Sequence, residues 1–346
     1  MSEQLTPISE LGEFGLIKRL TEKFSLVNKS SELSVGDDAA VIDSEGKKIV
    51  VTTDVLAEGV HFNLGYVPLK HLGYKAVVVN LSDVAAMNAV PTQILVSVAV
   101  SNRFPVEALD EIYAGIKLAC DYYKVDLVGG DTTSSTSGLV MSITAIGMES
   151  ADKIVKRNGA KTNDLLVVSG DLGGAYLGLQ ILEREHSVFL ANPDMQPEME
   201  GYDYILERQL KPEARTDVKK ILEELDVLPT SMIDVSDGLA SEILHLSDQS
   251  KIGFRLYEEK IPMDTLTITT ADELNLNPVM CALSGGEDYE LLFTISPNDY
   301  DKIKNHPDFT VIGHAVDLEQ GNFMVARGSN ELVALTAQGW DPFLKK

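Results

Sequence analysis

Apolar residues recur at helical spacing from the start of the chain. Leu11, Phe14, Ile17, Leu20 and Phe24 step by three and four, which predicts a helix over Glu10 to Phe24. After a turn-rich stretch at Val35-Gly36-Asp37-Asp38, Lys48 to Thr53 reads as a buried strand ending at Asp54. Pro68 opens a helical pattern that continues to about Met87, and proline suits a first helical turn. Gln93 to Val100 predicts a strand and Pro105 to Tyr123 a helix. Asp126 to Val128 and Leu139 to Gly147 predict two more strands, with the polar tract Thr132 to Gly138 as the loop between them.

Around Glu149 to Asn163 the texture turns charged and polar, which predicts a boundary between a domain over 1–150 and another over 151–346. Beyond it, Leu165 to Ser169 reads as a strand, and Gly173-Gly174 leads into a helix ending near Glu185. Segment His186 to Glu200, with Pro193 and Pro197, reads as a loop. Helices follow at Tyr202 to Arg208, Pro212 to Leu225 and Asp237 to Ser250. Leu291 to Ile295, Val311 to Val316 and Asn322 to Ala326 close the chain as strands. Both halves are α/β mixtures, and no tandem repeat of roughly 20–50 residues is visible.

The length of 346 residues suits about two domains at ~150 residues each. With 44% hydrophobic and 24% charged residues the composition is that of a globular protein. Charge changes the picture more. Against 29 Lys+Arg stand 53 Asp+Glu, a formal net charge of -24, so there is no basic stripe to neutralise the phosphates of a nucleic acid or an anionic membrane. No apolar run reaches the ~18 residues of a transmembrane helix. Met1 to Glu10 has neither a basic nor an apolar signal region, so a cytoplasmic location is expected. Cys120 and Cys281 give no metal spacing and no disulfide framework.

The chemistry signal is a set of carboxylates beside glycine or at strand ends. They lie in Gly36-Asp37-Asp38, Thr52-Thr53-Asp54, Ser82-Asp83, Gly129-Gly130-Asp131, Asp234-Val235-Ser236-Asp237-Gly238 and Gly285-Gly286-Glu287-Asp288-Tyr289-Glu290. Asp83 lies inside an otherwise apolar helix, where an unpaired carboxylate is costly and needs compensation. Singly, each aspartate is more readily a turn residue or a helix cap. Together they would repel one another, by ~4 kcal/mol for a pair 4 Å apart at an effective dielectric of ~20, unless cations lie between them. Oxygen ligands with neighbouring Thr and Ser hydroxyls favour Mg²⁺, which usually serves a phosphate-rich substrate. The EF-hand ladder, the P-loop, the protein-kinase signatures, G-x-S-x-G and H-E-x-x-H are all absent from the sequence. His61 is the one histidine beside such a motif, in Glu58-Gly59-Val60-His61-Phe62.

The strings GEFGLI, GDDAAV, TTDVLAEGVHF, YKAVVVNLSDVAAMNAVP, GGDTT, RNGAKTNDLLVVSG, IDVSDGLASEILH and ALSGGEDYELLFTI resemble those of the thiamine-monophosphate kinases. They stand in that family's order from about Glu13 to Ile295, and Gly339-Trp340-Asp341-Pro342-Phe343 is similar to its C-terminal substrate motif. The resemblance implies the aminoimidazole-ribonucleotide-synthetase-like fold. In that fold an N-terminal half-barrel sheet pairs in a homodimer, and a separate α/β (α+β) domain follows. It implies transfer of phosphate from ATP to thiamine monophosphate, giving thiamine diphosphate. By motif match, Asp38, Thr52, Thr53, Asp54, Asp83, Asp131, Asp234 and Asp237 would hold several Mg²⁺ ions. Tyr113, Gly130, Asp131, Arg157 and Ser236 would contact ATP, and His61, Glu287 and Trp340 the thiamine substrate. Relatives of the superfamily with a reactive cysteine in an N-terminal glycine loop or at the C-terminus fit less well, since the chain ends Leu344-Lys345-Lys346. A non-catalytic nucleotide- or cation-binding protein stays open as the alternative of a different class.

Overall fold

The strand signals of the first half assemble into one sheet. The computed structural model describes residues 16, 19–33 and 41–336, so Asp38, Trp340 and most of the first expected helix lie outside the described residues. The chain divides into two units, 1–84 with 89–152, and 85–88 with 153–346.

In the first unit a short antiparallel pair, β1 (Ser31–Leu33) and β2 (Val41–Ile42), precedes β3 (Lys48–Ala57). There follow α1 (Leu69–Ala86), β4 (Val90–Val100), α2 (Val106–Tyr123), β5 (Asp126–Ser134) and β6 (Leu139–Glu149). The four-stranded sheet runs β3-β6-β4-β5. β6 is antiparallel to β3 and β4, whereas β4 and β5 are parallel and joined through α2, the crossover that a parallel pair requires.

Strand alternation divides the sheet into two unlike faces. Ile94, Val96 and Val98 of β4 and Met141, Ile143 and Ala145 of β6 are buried, and Val84 of α1 abuts Gly147 on β6. The other face carries Leu95, Ser97, Ala99, Ser142 and Thr144, all half-buried, and on β3 Ile49, Val51 and Val55 at 50%, 60% and 51% exposure. α1 and α2 cross at Gly73 and Gly115. A Cβ at Gly73 would strike the Ile112 carbonyl, and one at Gly115 the Lys70 carbonyl.

Two boundaries differ from expectation where the chemistry lies. β3 continues past Asp54 to Ala57, and β5 continues past Val128 through Gly129-Gly130-Asp131-Thr132-Thr133 to Ser134. The polar tract pairs because β4 offers it a continuous partner, from Gln93 opposite Asp126 to Val100 opposite Ser134. Gly130, at φ 154°, fits there because a Cβ would collide with the Val96 backbone.

The second unit contains β7 (Leu165–Ser169), α3 (Gly174–Ala191), α4 (Asp203–Leu210), α5 (Thr216–Glu224), β8 (Ser231–Asp234) and α6 (Leu239–Ser250). It continues through β9 (Gly253–Tyr257), α7 (Thr265–Glu273), α8 (Pro278–Ser284), β10 (Leu291–Ile295), α9 (Tyr300–Ile303), β11 (Phe309–Val316), β12 (Phe323–Val325) and β13 (Leu332–Ala334). Its seven-stranded sheet runs β13-β12-β9-β11-β7-β10-β8 and is antiparallel except for β12 beside β9. Side chains alternate between two cores. Leu166 and Val168 pack with Leu239, Ile243 and Leu246 of α6, while Val167 packs with Val218 and Leu222 of α5.

The mixed α/β fold is the one expected. Six elements of this unit were not: β8, β9, α7, α8, α9 and β13. β8 is four residues long, too short to display a period. The sequence of α7, Thr-Leu-Thr-Ile-Thr-Thr, has a strand's composition, yet Asp264 caps it by accepting the Leu266 N–H at 2.7 Å. α3 extends six residues beyond Glu185 into the expected loop, to Ala191.

Candidate functional site

Some of the candidate residues are brought together in each unit, and others stand apart. In the first unit the strand-helix pair β3–α1 builds an acid pair. Thr52 and Asp54 share one face of β3, and Asn80 and Asp83 sit one turn apart on α1. The Thr52 hydroxyl donates to Asp83 Oδ2 at 2.6 Å. The Asp54 N–H donates to Asn80 Oδ1 at 2.9 Å, and Asn80 Nδ2 donates to the Ala76 carbonyl at 3.0 Å. The compensation that Asp83 needed in its apolar helix therefore comes partly from a strand hydroxyl. Burial, and secondarily the charge of Asp83, push the Asp54 carboxyl up to about 6.

Thr53 points to the opposite face. Its hydroxyl donates to the Ile143 carbonyl at 3.1 Å and accepts from Thr144 Oγ1 at 3.0 Å. Only its backbone is available to a group on the Asp54 side. Asp131 also stands apart. β5 is the far edge strand, and Asp131 lies opposite Ser97, three strand steps or about 14 Å from β3. Within one chain Asp54 and Asp83 converge, and Asp131 does not join them. Tyr113 of α2 is buried and hydrogen-bonded to Thr132, and burial pushes its hydroxyl up to about 12. His61 lies in the turn after β3, where its Nδ1 accepts the Ala57 N–H at 3.1 Å.

In the second unit two loops are laced together. Asp234 ends β8, buried, and the chain turns through Ser236 and Asp237 into α6. The Glu287 N–H donates to the Ser236 carbonyl at 2.7 Å, and the Tyr289 N–H to the Val235 carbonyl at 2.9 Å. Burial raises Asp237, the nearby Glu287 raises it further, and His245 and Arg157 oppose the rise. Arg157 and Glu287 thus both act electrostatically on Asp237, and Ser236, its neighbour in the chain, accepts the Glu287 N–H.

Sequence reasoning missed Glu242. It is buried on α6, accepts the Asp237 N–H at 3.0 Å, and is pushed up to about 8, mainly by burial and further by Asp234 and Asp237. The signal was present: Glu242 occupies the apolar stripe of Leu239, Ile243 and Leu246. Among the acids of the last motif, Asp288 and Glu290 are structural. Asp288 accepts the Gly173 N–H at 2.8 Å, at the start of α3. Glu290 accepts from Ser169 Oγ at 2.6 Å, Arg208 Nη1 at 3.0 Å and Arg215 Nη1 at 2.6 Å.

Among the described residues, no group of three His, Cys, Asp or Glu side chains is gathered closely enough to hold a metal ion. The donor chemistry of the Asp54–Asp83 pair nevertheless fits a hard divalent cation. The set is all oxygen, includes a hydroxyl, and sets two carboxylates close enough for burial and mutual repulsion to raise the pKa of one of them.

Residues 36–148, which contain the acid pair and all but the last residue of the four-stranded sheet, match the AIR synthase related protein, N-terminal domain. The similarity extends well past this segment. The chain is 34% identical over 340 residues to the thiamine-monophosphate kinase of Aquifex aeolicus (strain VF5), covering 97% of this chain and 99% of that protein. It is 31% identical over 339 residues to that of Bacillus subtilis (strain 168), covering 96% and 100%. The solved structure of AaThiL complexed with AMPPCP and TMP aligns at a TM-score of 0.73 and 32% identity, over 96% of this chain and 97% of that one. The chain belongs to the thiamine-monophosphate kinase family, and it is an enzyme.

Proposed function

We propose that this enzyme phosphorylates thiamine monophosphate to thiamine diphosphate with ATP, as a step of thiamine diphosphate biosynthesis. The observation that carries the reading is the near full-length match to AaThiL, a protein seen with both an ATP analogue and TMP. The test is ADP release from ATP on addition of thiamine monophosphate. Nucleotide binding without substrate-dependent ADP formation would leave a non-catalytic binder instead.

Mg²⁺ would be held by Asp54, Asp83 and the Thr52 hydroxyl in the first unit, with Asp38 and the Thr53 carbonyl, and by Asp234 and Asp237 in the second. Bound there, it would screen the negative charge of ATP in an acidic protein. Tyr113, Gly130, Arg157 and Ser236 are read as ATP contacts, and His61, Glu287 and Trp340 as substrate contacts. The acceptor is a phosphate monoester with a second pKa of ~6, so near pH 7 it is mostly a dianion and needs no general base. The task left to the protein is to align two anions and offset their repulsion, and Arg157 supplies positive charge for this. Such positioning suits a single in-line displacement. With chiral γ-thiophosphate ATP the transferred phosphorus should invert; retention would indicate a phosphoenzyme.

A homodimer belongs to the same reading. Ile49, Val51 and Val55 leave an exposed apolar strip along β3 on one sheet face, and a second copy closing on that face would form a barrel without free edges. The far-edge Asp131 would then serve a site shared with the partner copy. Val51→Lys is expected to turn a dimer into a folded monomer by sedimentation. A wild-type monomer at micromolar concentration would overturn the assembly. A cytoplasmic setting follows from ATP as co-substrate, and cell fractionation checks it. Among the described residues no helix is long and apolar enough to cross a membrane.

A further inference from the structure

The backbone around Glu287 is held in an unfavourable conformation. Gly286, Glu287 and Tyr289 have φ of 73°, 59° and 53°, and neither Glu nor Tyr adopts that region readily. Strain of this kind persists only where the surroundings over-determine it. On one side they do so through Ser236 and Val235, whose carbonyls take the Glu287 and Tyr289 N–H groups. On the other side the hold comes from α4. Arg208 Nη2 donates to the Asp288 carbonyl at 3.2 Å and to the Asp171 carbonyl at 3.0 Å. The next residue, Gln209, donates from Nε2 to Glu287 Oε2 at 2.9 Å.

Gln209 is itself fixed. It is 6% exposed, and α4 presses on α3 so closely that a Cβ at Gly178 would meet the Ile205 carbonyl and the Gln209 side chain. Its chemistry also suits the contact. An amide orients a carboxylate without neutralising it, whereas a Lys or Arg would cancel its charge. A carboxylate that keeps its charge can meet a cation, and the thiazolium ring of thiamine carries one.

We propose that Gln209 is a positioning residue, fixing the rotamer in which the Glu287 carboxylate meets the cationic part of thiamine monophosphate. This rests on the reading of Glu287 as a substrate contact. The test is steady-state kinetics of the full chain with Gln209→Met, Gln209→Glu, Glu287→Gln and the Gln209→Met/Glu287→Gln double variant. Gln209→Met keeps the side-chain volume, and loss of one hydrogen bond to a charged group should raise KM for thiamine monophosphate about tenfold. KM for ATP should stay within about twofold, since the ATP contacts are untouched. Gln209→Glu, which sets two carboxylates together, should raise KM for thiamine monophosphate further. The double variant should be no worse than Glu287→Gln alone, because both changes remove one contact. A wild-type KM in Gln209→Met beside a raised KM in Glu287→Gln overturns the role of Gln209 and leaves the substrate reading standing. Equal rises in both KM values, with a lowered Tm, overturn it as a merely structural residue. An unchanged KM in Glu287→Gln overturns the substrate reading and the positioning role together.

Discussion

Asp83→Asn will abolish ADP formation while the protein stays folded. Asparagine has the same shape and can still accept the Thr52 hydroxyl, so the helix-strand contact survives. The charge does not. Asp83, after burial, contributes to the raised pKa of Asp54, so its removal lets the Asp54 carboxyl fall back toward the ordinary range and leaves one anion where two had faced each other. On the proposed reading, in which both carboxylates hold a cation against ATP, the site then loses its main source of transition-state electrostatics. Losing such a source costs on the order of a hundred- to a thousandfold or more. The measurement is coupled ADP release at saturating Mg²⁺, with Tm as the control for folding. Near-normal turnover would remove Asp83 from the set that holds the cation.

Glu290→Gln should have the largest effect on stability. Glu290 is buried between two guanidinium groups and a serine hydroxyl. Arg208 Nη1 and Arg215 Nη1 both donate to its carboxylate, and the Arg208 side chain is only 14% exposed. Glutamine fills the same volume but offers one acceptor oxygen and no charge. Removing one member of a buried ion pair costs about 3–5 kcal/mol, because the remaining charge is uncompensated. For a unit of this size that is a fall in Tm of at least about 6 °C. The fall should be larger for Arg208→Met than for Arg215→Met, because Arg208 also holds the Asp171 and Asp288 carbonyls, whereas the further partner of Arg215 is Asp217, whose side chain is 52% exposed and can be solvated instead. A Tm within a degree or two of wild type in Glu290→Gln would mean that water or rearrangement satisfies both arginines.

The sequence reveals long elements and single acids better than it reveals which acids meet. The helices at Leu69–Ala86 and Val106–Tyr123 are legible because the first is long and largely apolar, the second carries a long apolar stripe, and Pro68 and Pro105 mark their starts. The importance of Asp83 is legible for a physical reason: an acid in an apolar helix demands a partner. That the partner is Thr52 depends on a pairing made by the tertiary fold. Asp131 reads like Asp54, an acid after an apolar strand, yet strand order places the two on opposite edges of the sheet. No local pattern encodes strand order. Within Glu287-Asp288-Tyr289-Glu290, three acids look alike in sequence, and only their distant partners separate them. Arg208 and Arg215 claim Glu290, the start of α3 claims Asp288, and Gln209 meets Glu287.

The crossing of α1 and α2 has a consequence at the level of the gene. Every single-base missense change in a glycine codon specifies a residue with a Cβ. At Gly73 and Gly115 that atom lands on the backbone carbonyl of the other helix, so neither position has a conservative neighbour in the genetic code. The helix that would be pushed away is the one that carries Asn80 and Asp83. Mutational damage at these two glycines should therefore resemble loss of the acid pair itself, although neither glycine has any chemistry of its own to lose.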